Sequence, residues 1–485
     1  MLSRLFPDHA HRRAAPLEQG NGNMTDLITR TIHRLGEKLP GKLSLPGSDG
    51  YRKATAIWPK PTGALPRAVV HAQTAGDVQT AIRAARDSHL ALSVRGGGHD
   101  WAGRALCEGL VIDLRGMNAV ALGPDRTARM GGGASAAQLV AASDPHGLAA
   151  VTGSVGSVGM AGLTLGGGYG PLIGRFGLAL DNLVDAEIVL ADGRILSAGP
   201  DNEAELFWAL RGGGGNFGVV TAIRHQLHEL ASVHFGILLY PAAEARSVLQ
   251  GCAEIAAAAP EELTVQAGFA GSPGGSVIFV APTWSGRPEE GASRTAAFAK
   301  LGTLIAGGVE AMSLGRMLSA FDPFVVEGQR AIMDSCWLPA LDIGAIEIFL
   351  RAMEAAVSPG CALITHEFKG AAARVPAGAT AFGLRRPHLV MEILASFADE
   401  AAIDAHRQWV RNTREAFANM PSPGALPGAY PHFLAPGDER AAQSYGDNAA
   451  RLVAAKRRYD PDNLFRSAIP LPGGRAIPES AVPTR

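Results

Sequence analysis

An α+β fold in two parts is the architecture this sequence predicts. Three observations predict it: a length of 485 residues, glycine gathered into clusters between ordinary helix and strand patterns, and a change of composition near residue 233. A chain this long exceeds what one hydrophobic core serves, so two domains are expected. The 60 glycines concentrate at 96–98, 131–133, 153–170 and 212–218 and follow no fixed period, which excludes collagen-like and solenoid readings. From about 233 to 430 the clusters stop, and alternating apolar segments mix with alanine-rich helical ones. That mixture predicts an antiparallel sheet covered by helices.

The elements follow in order. Met24 opens the first helix-like pattern, which leaves translation from Met1 and from Met24 both open. Ala68-Val-Val-His-Ala72 is a short strand, and Thr74 caps a helix to Arg86 with Val78, Ile82 and Ala85 on one face. Leu90 to Val94 is the next strand, so Gly96-Gly-Gly-His99 follows it as a loop, a usual place to present functional groups. Gly109 to Leu114 is again strand-like. Ala186 to Ala191 and Arg194 to Ser197 form a hairpin about the turn Asp192-Gly193. Glu205 to Leu210 is a short helix stopped by glycines. Ser276 to Val280 and Leu389 to Leu394 are strands of the second part, where Trp284, Trp337 and Tyr240 are expected in the core. Ala441 to Tyr459 is helical, and Asp460-Pro-Asp-Asn463 ends it.

Charge narrows the partners. Lys plus Arg number 44 against 45 for Asp plus Glu, with no basic run, which argues against nucleic acid and against an anionic membrane surface. A small molecule is the expected partner. Cys107, Cys252, Cys336 and Cys361 have neither zinc-site spacing nor disulfide density, so free thiols and no metal are expected. The first residues lack the apolar core of a signal peptide and no stretch is apolar for long enough to span a bilayer, which makes a cytoplasmic location the expectation.

Glycine loops after strands let backbone N–H groups approach a phosphate or a flat ring, because no Cβ intervenes. None of the clusters carries the GxGxxG pattern near the chain start with an acidic residue some 20 residues on, which argues against a nicotinamide-binding domain. Taken in order, however, Arg95-Gly-Gly-Gly-His99, Leu110-Val-Ile-Asp-Leu114, Gly131-Gly-Gly-Ala134, Leu163-Thr-Leu-Gly-Gly-Gly-Tyr-Gly170 and Arg211-Gly-Gly-Gly-Gly-Asn-Phe-Gly-Val-Val-Thr221 resemble a known family. It is the FAD-binding domain of the vanillyl-alcohol-oxidase (PCMH-type) superfamily, in its berberine-bridge-enzyme-like branch. Tyr459-Asp-Pro-Asp-Asn-Leu-Phe465 resembles the C-terminal signature of the same branch.

This resemblance implies an extension and helix over 1–58, a two-lobed FAD-binding part over 59–235, a substrate-binding part over 236–430, a segment 431–472 returning to the FAD part, and a tail over 473–485. It also implies that Arg95, Gly96, Gly97, Gly98, Gly153, Ser154, Ser157, Gly159, Gly162, Tyr169, Val220, His432 and Asn463 lie along the FAD, and that His99 bonds to the flavin 8α carbon. A covalent imidazole withdraws electron density from the ring and favours hydride acceptance. Asp100 caps the turn locally. Many members attach the flavin a second time through a cysteine, and Val155 stands at that position, so a single attachment is expected.

The implied reaction is oxidation of an alcohol or amine, in a sugar or a secondary metabolite, with dioxygen or another acceptor reoxidising the flavin. It needs a base. The tyrosine that often serves falls at Phe433, within Tyr430-Pro-His-Phe433, and His432 occupies the neighbouring asparagine position. Three candidates remain open: Glu392, a carboxylate on a substrate-side strand; His432, whose side-chain type titrates near neutrality; and His366 in Thr365-His-Glu-Phe368. The missing tyrosine also keeps open a flavin-binding protein without turnover.

Overall fold

The computed structural model describes residues 19–60, 63, 65–272, 275–322, 328–421 and 423–473. Residues 1–18 and most of the expected tail lie outside them. The first helix, Gln19–Lys38, starts ahead of Met24.

Three sheets organise the chain. In the first, Ala68–His71 and Leu92–Arg95 flank Leu110–Asp113 in parallel, and Leu43–Ser44 adds an antiparallel edge. Thr74 caps the crossover helix Ala75–Asp87 in a capping box with Asp77. Val78, Ile82 and Ala85 of that helix are fully buried, as their spacing predicts. The strand Leu92–Arg95 then delivers Gly96 to His99 at its carboxyl end, where parallel sheets open their ligand crevices.

The second sheet is antiparallel. The long strand Gly218–Glu229, entered directly from the 212–215 glycines, pairs with Thr127–Gly131 on one side and Leu183–Leu190 on the other. Leu183–Leu190 continues through the Asp192-Gly193 turn into Ile195–Ala198. Gly193 takes the left-handed φ of 85° that such a turn requires.

The third sheet has eight strands, all antiparallel, led by Val233–Phe235 and centred on Gly275–Trp284, Leu263–Ser272, Cys361–Phe368 and His388–Phe397. Residues of alternate parity face opposite ways along a strand. One face carries Tyr240, Phe269, Ile278, Leu363 and Ile393 under the helices Ala245–Ala258, Ile343–Glu354 and Ile403–Ala418, forming one core. Trp284 and Tyr240 belong to that core, whereas Trp337 packs with Tyr169, Phe368, Phe382 and Tyr430. The other face of the sheet is turned toward the two glycine-rich sheets.

The expected helix over 441–459 is two, Ala441–Tyr445 and Ala449–Tyr459, joined by a tight turn at Gly446–Asn448. Gly446 adopts φ of 51° and ends the first helix. Tyr445, Leu452, Ala455 and Tyr459 pack into the core that also holds Phe207, Trp208 and Leu210, so the chain returns to the glycine-rich lobe. Among the described residues, no helix is long and apolar enough to cross a membrane.

Candidate active site

A cavity of about 1180 Å³ lies between the glycine-rich sheets and the free face of the eight-stranded sheet. This exceeds the range of about 300–1,000 Å³ usual for a single small ligand. Gly96, Gly97, Gly98 and His99 line it, as do Gly153, Ser154, Gly159, Gly162, Tyr169 and Val220. Glu392, His366 and His432 line it as well, together with Val155 and Phe433.

The glycine wall is a close meeting of two loops. A Cβ on Gly97 would fall 2.5 Å from the Gly159 nitrogen, and a Cβ on Gly159 the same distance from the Gly97 nitrogen. Only glycine permits both backbones there. Gly98 has φ of 82°, and its carbonyl accepts from Trp58 N–H at 2.8 Å, which ties the loop to the preceding segment.

His99 sits in an aromatic slot, its ring centroid 4.1 Å from that of Trp58 and 5.5 Å from that of Trp101. Burial depresses its pKa to about 4, with Asp100 opposing, so the imidazole is neutral at pH 7. Its Nδ1 is buried and has no hydrogen-bond partner. Buried polar atoms are rarely left so, and an orphan calls for an absent group to complete it. An orphaned, neutral nitrogen beside a wall without Cβ atoms fits a flavin joined to His99. Asp100 accepts from Ala105 N–H at 2.6 Å and Ala102 N–H at 3.3 Å, the local cap its position predicts.

Three residues implied to lie along the FAD do not line the cavity. Arg95 turns its guanidinium to the carbonyls of Lys53, Ala54 and Ala56, clamping the helix Asp49–Thr55. Asn463 takes φ of 52° in the turn after the last helix, its N–H donating to Asp460 O at 3.1 Å. The Asp460 carboxylate in turn accepts from Leu464 and Phe465 N–H at 2.9 Å each. The turn thereby sets Phe465 and Ile469 against the cavity. Ser157 is not among the lining residues, and its carbonyl packs against Gly97.

His432 is buried, and desolvation with the nearby Arg104 charge lowers its pKa to about 4. Its Nε2 lies 3.2 Å from Leu163 O, and its own carbonyl accepts from Arg104 Nη2 at 2.6 Å. Neutral and engaged, it is a poor proton acceptor near pH 7 and a good strut between the C-terminal segment and the cofactor loops.

Glu392 and His366 come together. Glu392 pairs with Ile364 across adjacent strands, two residues from His366 on the same face. His366 Nε2 lies 3.1 Å from Glu392 Oε1, in ion-pair contact but without hydrogen-bond alignment. On the next strand the Gln266 amide nitrogen lies 2.7 Å from His366 Nδ1 and 3.0 Å from Ser154 Oγ. With Nδ1 accepting, the ring proton resides on Nε2, toward Glu392, a tautomer assigned from the network. A polar relay thus runs from the cofactor loop at Ser154 through Gln266 and His366 to Glu392. Sequence reasoning missed Gln266, since a glutamine in Thr264-Val-Gln-Ala-Gly268 has no motif to mark it. It also missed Trp58, Trp101 and Tyr430. The Tyr430 hydroxyl accepts from Gly168 N–H at 2.9 Å, and its pKa is raised by burial and by the Glu392 charge, so it is a neutral phenol.

Comparison with known proteins agrees with this geometry. Residues 66–199 match the model of an FAD binding domain, and residues 416–472 match that described as berberine and berberine like. The FAD-linked oxidoreductase pgmH of Aspergillus terreus is 30% identical over 498 residues, spanning 94% of this chain and 98% of that protein. (R)-6-hydroxynicotine oxidase of Paenarthrobacter nicotinovorans is 41% identical over a shorter 194 residues, 40% of this chain and 42% of that one. The crystal structure of 6-hydroxy-D-nicotine oxidase from Arthrobacter nicotinovorans superposes with a TM-score of 0.80 at 26% identity, covering 89% of this chain and 98% of that chain. With its glycine-walled cavity and its returning C-terminal segment, the chain belongs to the berberine-bridge-enzyme-like FAD-linked oxidoreductases.

Proposed function

We propose that this enzyme oxidises a CH–OH or CH–NH group of a small organic molecule, with FAD joined covalently to His99 alone. The observation that carries the reading is the neutral, orphaned Nδ1 of His99 on the cavity wall. A neutral imidazole keeps a lone pair for such a bond, and Val155 offers no thiol for a second one. Bound FAD supplies hydride acceptance, and dioxygen or another acceptor takes the electrons onward. In this reading 59–235 and 431–472 form the FAD side and 236–430 the substrate side.

The chain's own residues have separate tasks in this reading. Gly96–Gly98 and the 153–162 loop receive the cofactor on bare backbone, and His432 braces that wall. Glu392 accepts the proton leaving the substrate hydroxyl or amine, and His366 beside it shares the charge. Gln266 holds His366 in one tautomer and ties it to Ser154. The similarity to 6-hydroxynicotine oxidases supports an amine as readily as an alcohol. The buried free thiols at Cys252, Cys336 and Cys361 accord with a reducing, cytoplasmic setting.

Anaerobic stopped-flow over a panel of alcohols and amines tests the reading. A substrate that bleaches the flavin should do so at least ~100-fold more slowly in Glu392→Gln with flavin content unchanged. Full-rate bleaching in that variant removes Glu392 as the base. Phe433, which supplies no hydroxyl at the usual position, favours a binder without turnover as the second reading, and no bleaching across the whole panel would select it.

A further inference from the structure

We infer that the substrate has a predominantly apolar body with one polar reacting group, and that oligosaccharides are not its class; this rests on the cavity being the site of oxidation. The free face of the eight-stranded sheet carries the inference. Alternate residues of its strands enter the helix-covered core, and their neighbours face the cavity: Tyr240 is in the core and Leu239 in the wall, Ile278 in the core and Val277 and Phe279 in the wall. Met333, Ile364 and Leu394 continue this wall across three further strands. All six are half-buried, so they keep apolar surface turned to the interior of the cavity.

Of the polar side chains on this face, those that line the cavity among the described residues gather at its two ends, and the pairs named here engage one another. At the flavin end Gln266, His366 and Glu392 engage one another as described. At the outer end Ser396 Oγ donates to Gln329 Oε1 at 2.8 Å, and Ser358 Oγ lies 2.8 Å from His406 Nε2. Between them the wall offers no donor or acceptor. A sugar chain lying there would shed water from many hydroxyls without replacing those hydrogen bonds, which is unfavourable. An alkyl or fused-ring body loses nothing there and gains by leaving water. The inner polar cluster then offers a hydroxyl or amine its partners on this face, which sets the reacting group at Glu392 and the body along Leu394 and Phe279.

Anaerobic calorimetric titration of the holoenzyme tests the class by binding, with flavin absorbance read in parallel. The probes are 1-butanol, 1-hexanol, 1-octanol and 1-decanol, and cellobiose and maltotriose. The affinity should rise about fourfold per added methylene while the apolar wall is being covered, and both sugars should bind more weakly than decanol. Ile364→Thr, one heavy atom smaller but still β-branched and suited to a strand, should weaken decanol several-fold with the melting temperature retained; Leu394→Asn should weaken it more. A flat alcohol series, no alcohol binding, or tighter binding of either sugar overturns the inference. Decanol binding with a chain-length gradient but no bleaching would uphold the class and count against the proposed oxidation, whereas bleaching by cellobiose would do the reverse.

Discussion

The two walls of the cavity are built on opposite principles. The cofactor wall is backbone: Gly97 and Gly159 meet where neither has room for a Cβ, and Gly98 turns with positive φ. The facing wall, proposed to receive the substrate, is side chain, an apolar strand face interrupted by the relay at Gln266, His366 and Glu392. A backbone wall tolerates almost no substitution and recognises what is common to flavins. A side-chain wall on a rigid sheet can be rewritten residue by residue, so specificity can change there while the cofactor site stays the same.

The contrast can be broken by exchange of effects between the walls. The largest effect is expected on the backbone side: Gly159→Ala forces its Cβ into the Gly97 nitrogen, and the purified protein should lose most of its bound flavin, read as the ratio of visible to 280 nm absorbance. Leu394→Ala on the other wall should leave that ratio unchanged. Next comes the loss of rate in Glu392→Gln already described, which should leave flavin content intact.

Acidity gives the third effect. His225 and His432 have folded pKa values of about 4, below the ordinary value of 6.5, with burial the main cause in each. As pH falls from 6.5 toward 4 the unfolded chain therefore binds protons that the folded chain does not, and stability falls across that window. The loss is on the order of 2 kcal/mol per histidine by pH 5. The melting temperature should drop on acidification from pH 7 to 5, and a constant value would contradict the buried neutral state. The smallest effect is expected for Gln266→Leu, which removes one partner of His366 and should slow flavin reduction by about three- to tenfold, the scale of one hydrogen bond, with flavin content retained.

The same contrast explains what was legible in the sequence. Glycine clusters are visible as clusters because a backbone wall needs absent side chains, and the neighbouring His99, Val155 and Tyr169 could be placed with them. The helix cap at Thr74 and the Asp192-Gly193 turn were legible for the same local reason. The relay was not: Ser154, Gln266, His366 and Glu392 are brought together by sheet register across more than 200 residues, and nothing local records that register. Period-two alternation revealed the strands but not which face would lie under helices and which would line the cavity. Arg95 and Asn463 carried motif positions yet serve the frame, one clamping a helix and the other ending one. The break in the C-terminal helix depended on a single glycine conformation at Gly446.

The central claim is that one side chain, His99, holds the flavin. Intact mass under denaturing conditions tests it most directly: the unmutated holoprotein should weigh one FAD more than its polypeptide, and His99→Ala should weigh the polypeptide alone. A bare polypeptide mass for the unmutated protein, or a retained FAD adduct in His99→Ala, would contradict it.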